Sequence, residues 1–246
     1  MATTITEPSY PPPRSAKAFA KSWRWALLFG FFVYWGYRLL ELVLLGVVVE
    51  QFGLTSEAKS YTILFAYVPA LVFLGGMFYV HRRLVFPDIQ FVGAFKRRDV
   101  VTGIALVTLV YLLGYGLAWL THQPREPIMA SLFQSKTSLQ IVVMIGAMLL
   151  LPPVVEELAF RHFLLSMLPF RASWWVAAVA VCATGLFFSY VHAYQYWTTN
   201  LTIFLVGVVF AVARIRSNGM TLPIMLHAYA VVLALVLDQL MAAAIG

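Results

Sequence analysis

Long apolar runs separated by short polar stretches set the reading of this chain. They cover roughly 25–49, 61–80, 100–120, 139–168, 174–196, 200–214 and 221–244. A helix needs about 20 mainly apolar residues to cross about 30 Å of hydrocarbon. The pattern therefore predicts an all-α, polytopic membrane bundle of seven spans. The sixth run is short, and the fourth has residues to spare for a tilt or a break. Ahead of them, residues 1–24 hold Pro8, Pro11, Pro12 and Pro13, then Arg14, Lys17, Lys21 and Arg24, which predicts a flexible basic arm. The apolar run after the arm is too long for a cleavable signal and offers no clear small-residue cleavage site. Residues 25–246 are expected to form one membrane domain.

Composition agrees. Of 246 residues, 62% are hydrophobic and 11% charged, against about 25% charged in a soluble domain. The net charge of +7 follows topology. With the N-terminus inside, the inner segments carry Arg14, Lys17, Lys21, Arg24, Arg82, Arg83, Lys96, Arg97, Arg98, Arg171, Arg214 and Arg216; the outer loops carry Lys59, Arg125 and Lys136. Twelve cations against three satisfy the positive-inside rule and place the C-terminus outside. The basic loop 81–99 is expected to sit against anionic lipid headgroups, though a role in setting topology suffices for it, and no nucleic-acid partner is expected. The single cysteine, Cys182, excludes an intramolecular disulfide and a thiolate metal cluster.

Against this apolar background the stretch Pro152-Pro153-Val154-Val155-Glu156-Glu157-Leu158-Ala159-Phe160-Arg161 stands out. Insertion scales charge about 2.5–3.5 kcal/mol for an Asp, Lys or Arg at the centre of a membrane helix. Glu157 and Arg161 are four apart with the acid first, the better order for an ion pair. Glu156 lies about 100° round the helix and must look elsewhere. The two prolines cannot donate backbone hydrogen bonds and predict a kink or widening. A buried ion pair gluing helices together is the plain alternative; the second carboxylate beside the kink argues for chemistry.

Other intramembrane polar groups are few. His192 closes the fifth span, His227 lies in the seventh, and Asp238 lies near the seventh's outer end. His162 either joins the cluster around Arg161 or snorkels toward the inner interface. Arg38 and Glu41, three apart, read as a structural pair or a lateral gate contact. Residues 121–138, with His122, Arg125 and Glu126, read as an interfacial connector. A lone membrane histidine ordinarily hydrogen-bonds helix to helix, but two of them beside paired carboxylates can do more. In a half-dry cavity a carboxylate can take a proton from water, one imidazole can orient that water, and another can donate to a forming oxyanion. Such a hydrolase needs neither a covalent nucleophile nor a metal.

These residues resemble a known family. Glu156-Glu157-Leu-Ala-Phe-Arg161 matches the EExxxR motif of the CPBP intramembrane proteases, the CAAX prenyl-endopeptidase and bacteriocin-processing family. Phe188-Ser-Tyr-Val-His192 matches its FxxxH motif, and Leu222-Pro-Ile-Met-Leu-His227-Ala resembles its third. The resemblance covers about 139–240, with the motifs in order. It implies a glutamate-dependent intramembrane endopeptidase without cofactor or metal, acting on membrane-presented peptides or proteins, with or without a lipid modification. It also implies a multi-pass protein of a bacterial or archaeal plasma membrane. On this resemblance Glu156 activates water with His192 as its partner. Glu157 and Arg161 shape and charge-balance the site, Phe188 packs beside His192, and His227 contributes to the oxyanion hole. Two other readings stand beside it: a non-catalytic scaffold or regulator, and a zinc protease ligated by Glu156, His192 and His227.

One position departs from the pattern. Where the third motif carries an asparagine four residues after its histidine, this chain has Val231, which donates nothing. Either Tyr229, Asn200 or a backbone amide substitutes, or activity is weak or absent. Counted at 1.5 Å per residue from the inner span ends, Glu156, His192 and His227 come out at roughly 18, 27 and 9 Å.

Overall fold

The computed structural model describes residues 16–48, 50, 61–84 and 90–245. Residues 1–15 of the predicted arm lie outside that set, as does Lys59. Among the described residues there is no strand, and seven helices are long and apolar enough to span a membrane. They are α1 (Ala16–Val43), α2 (Thr62–Leu84), α3 (Arg97–Leu120), α4 (Ser138–Glu156), α5 (Trp174–His192), α6 (Trp197–Ser217) and α7 (Thr221–Ile245). The first helix begins nine residues before the apolar run at 25, so part of the basic arm is helical. The fifth ends at His192 rather than 196. The sixth, short by hydropathy, is 21 residues long because residues 197–199 extend its start and 215–217 its end.

Local chemistry explains several ends. Thr137 caps α4: its hydroxyl accepts from Gln140 N at 3.3 Å and its own N–H donates to Gln140 Oε1 at 2.9 Å, a reciprocal capping box. Asp99 caps α3 by accepting from Lys96 N at 2.9 Å, and it also receives Arg216 from the far end of α6 at 3.1 Å. That contact gathers the basic segments near 96–98 and 214–216 at one end of the bundle. At the same end Gly93 and Gly219 approach so closely that a Cβ on either would collide with the other's backbone.

Past Pro152 and Pro153, α4 continues as a π-helix over Glu157–Leu164. The expected widening is therefore present, and it falls on the charged motif itself. Single π turns inside α-helices recur at functional sites because they re-aim side chains. Here all of Glu157 to Phe163 is buried.

Two apolar clusters flank this segment. One joins α1, α2, the π segment and α5 through Tyr34, Leu74, Phe160, Phe163 and Phe188; the other joins α3, α6 and α7 through Val107, Phe210, Leu222 and Leu226. Helix α6 is the most buried span. Large apolar side chains such as Val72, Leu150 and Leu186 cover the outside, as lipid contact requires.

Candidate active site

The five residues singled out by sequence come together at the seam of the two clusters. Glu156 ends α4, Glu157 and Arg161 lie on the π segment, His192 closes α5, and His227 sits two turns into α7. Glu156 Oε2 faces His192 Nε2 at 3.6 Å and His227 Nε2 at 3.8 Å. The unequal depths counted from the span ends are therefore reconciled in space: these helices are not level or not parallel.

Glu157 is wholly buried between two partners. His227 Nδ1 donates to its Oε1 at 2.8 Å, and Arg161 Nε lies 3.3 Å from its Oε2. The spacing argument holds: Arg161 takes Glu157 and leaves Glu156 to the histidines. The guanidinium is further held by a hydrogen bond from Nη2 to the Gly207 carbonyl at 3.2 Å. It also lies over the Phe188 ring, 4.1 Å from its centroid. Position 207 is tight: a Cβ there would sit 3.2 Å from both Arg161 Nη2 and Phe188 Cδ1, which would have to give way. Phe188 also packs against His192, with ring centroids 4.4 Å apart.

Hydrogen bonding sets the tautomers. His192 Nδ1 lies 2.7 Å from the Phe188 carbonyl, which can only accept, so that nitrogen carries the proton. His227 Nδ1 faces Glu157, an acceptor on both oxygens while paired with Arg161. With that proton on Nδ1, a neutral ring presents Nε2 as a lone pair. Glu156 Oε2 is buried and has no hydrogen-bond partner among the described residues. Three acceptors from three helices converge on one point at distances too long for direct hydrogen bonds. Lone pairs held this close repel one another unless a proton or a hydrogen-bond donor is shared among them.

One member was missed. Tyr67 on α2 donates to Glu156 Oε1 at 2.8 Å, occupying that oxygen and turning the other toward the histidines. A tyrosine in an apolar span carries no mark of such a role. His162, left open between two sites, joins neither the cluster nor the interface: it hydrogen-bonds His81 at 2.8 Å in a separate aromatic pocket. The two side-chain donors considered in place of an asparagine at 231 are engaged elsewhere. Tyr229 shares a 2.6 Å hydrogen bond with Thr108, and the Asn200 amide donates to the Tyr194 and Tyr196 carbonyls at 2.9 and 2.8 Å. Arg38 and Glu41 pair as expected, and Arg125 pairs with Asp238. Among the described residues no three of His, Cys, Asp and Glu are arranged to hold a metal ion.

Comparison with known proteins adds the context. Residues 138–233 match the model of the type II CAAX prenyl endopeptidase Rce1-like family. An "Uncharacterized 24.3 kDa protein" of Escherichia coli is 33% identical over 195 residues, spanning 76% of this chain and 86% of that protein. No solved structure matches. The matched span begins at the first residue of α4 and takes in both carboxylates, Arg161 and both site histidines, and the chain belongs to the Rce1-like, type II CAAX prenyl endopeptidase branch of the CPBP family of membrane proteins.

Proposed function

We propose that the chain is an intramembrane endopeptidase in which Glu156 and His192 activate a water for attack on a peptide bond. The observation that carries this is the convergence of Glu156 Oε2 with two imidazole Nε2 atoms at 3.6 and 3.8 Å. A water there gives one proton to the carboxylate and one to an imidazole, and its oxygen faces the substrate. As its O–C bond forms, a proton passes to Glu156. As the C–N bond breaks, Glu156 passes that proton to the leaving amine. Tyr67 orients Glu156, while Glu157 and Arg161 hold His227 in its tautomer. The substrates are membrane-presented peptides or proteins, with or without a lipid modification, and the basic end of the bundle faces the cytoplasm.

Membranes from cells making the wild-type or the Glu156→Ala chain, compared by mass spectrometry of peptide termini, test this. Termini that vanish in the variant, with the variant still folded and inserted, support it; identical termini overturn it. A second reading, a non-catalytic scaffold or regulator, is favoured by Val231 together with the engagement of Tyr229 and Asn200 elsewhere. It predicts a cellular function that survives loss of both Glu156 and His192.

A further inference from the structure

Attack on a peptide bond moves charge onto the carbonyl oxygen, which needs a hydrogen-bond donor. The cluster is short of one. Both Nδ1 protons are held by other acceptors, and the Tyr67 hydroxyl is spent on Glu156.

Beside the cluster lies a cavity of about 700 Å³ between α3, the 121–131 connector, α6 and α7. Tyr111, Tyr115, Thr202, Ile203 and Ala234 form its walls, and Tyr194 belongs to them as well. Its size suits a bound chain segment, since ligand cavities run about 300–1,000 Å³ and occur between bundle helices. The Tyr194 ring stacks on His192, with centroids 5.8 Å apart and planes 15° off parallel. One aromatic ring thus separates the cavity from an imidazole of the cluster.

The backbone around that ring is clamped. Ala193 takes the left-handed conformation at φ 50°, which a non-glycine residue adopts at a cost. The buried Glu126 carboxylate accepts from Gln195 N and Tyr196 N at 3.2 and 3.1 Å, and Asn200 binds the Tyr194 carbonyl. The Tyr194 hydroxyl makes no hydrogen bond to the described residues. Burial pushes it up to about 12, with the charges of Glu156 and Glu126 adding to the effect, so it keeps its proton at neutral pH.

We propose that the Tyr194 hydroxyl is the donor that holds the scissile carbonyl oxygen, with the substrate chain lying in the cavity that Tyr194 walls. This rests on the protease reading above. Tyr194 keeps its proton throughout; only its hydrogen bond strengthens as the oxyanion forms.

The test uses wild-type, Glu156→Ala, Tyr194→Phe and Tyr194→Phe/Val231→Asn chains in lipid vesicles. The probe is a synthetic peptide spanning a cut that depends on Glu156 in the membrane comparison. Tyr194→Phe keeps the ring on His192, and thermal unfolding in the same vesicles checks that it folds as the wild type does. The expected result is a fall in kcat of about 10²–10³ with KM held, partly restored by an asparagine at 231, one turn beyond His227. Wild-type turnover by Tyr194→Phe, or a change in KM alone, overturns the proposal and leaves the protease reading intact. Absence of any Glu156-dependent cut overturns both.

Discussion

Two buried imidazole clusters share the π segment, and neighbouring residues serve them. Arg161 turns into the first, where two carboxylates and two histidines meet beside a cavity. His162 turns into the second, hydrogen-bonded to His81 and enclosed by Phe29, Phe78 and Phe163, with centroid distances of 4.8 Å from Phe29 to His81 and 4.5 Å from Phe78 to His162. Arg214 is buried near the second pair, with no carboxylate in ion-pair range among the described residues. Both clusters contain histidine beside buried polar side chains. They differ in that the first turns three acceptors toward one another one aromatic ring away from a cavity, whereas the second joins ring to ring inside packed aromatics. Burial of an imidazole is thus no sign of chemistry by itself. Converging acceptors, compensated charge and room for a substrate are.

The comparison can be broken at several points. The largest effect belongs to Glu156→Gln, which removes the proposed general base: turnover is expected to fall by about 10⁴, the upper end of what proton transfer contributes, with little change in thermal stability. Retained turnover would falsify the assignment. Arg161→Met comes next, because it strands Glu157 in a site with 0% exposure. Breaking a buried pair from one side costs about 3–5 kcal/mol, visible as a lower unfolding temperature in detergent. Adding Glu157→Gln to that variant should recover much of the stability but not the turnover.

In the second cluster, His162→Leu leaves His81 without this partner, at about 1–3 kcal/mol of stability. Its kcat, measured on the peptide used for Tyr194, should match wild type; a fall comparable to that of Glu156→Gln would mean the two clusters act as one. Glu126→Gln keeps an acceptor for the 193–196 turn but loses the charge, so about 0.5–1.5 kcal/mol of stability and a smaller loss of kcat than Tyr194→Phe are expected. Arg38→Gln is the smallest change. Its pair with Glu41 is 40% exposed on the arginine side, and exposed pairs contribute about 0–1 kcal/mol, so turnover and unfolding should both stay near wild type.

Much of this was legible in the chain. Hydropathy located the seven spans, and the misjudged ends at Ala16, His192 and Trp197 reflect capping and helix extension that hydropathy does not register. The order Glu157 then Arg161 foretold their pairing, since four residues on one helix leave little choice. The prolines foretold a disturbed helix but not that its π turns would carry Glu157 and Arg161. Tyr67 was invisible because it acts across 89 residues of sequence, and the partnership of His162 with His81 spans 81.

The division has a physical cause. Residue order speaks locally: apolar length sets a span, spacing sets a helix face, and charge between spans sets the expected orientation. The tertiary structure alone decided which lone pairs meet, which hydroxyl is already taken, and which ring walls the cavity, because each depends on how helices far apart in the chain tilt and slide against one another.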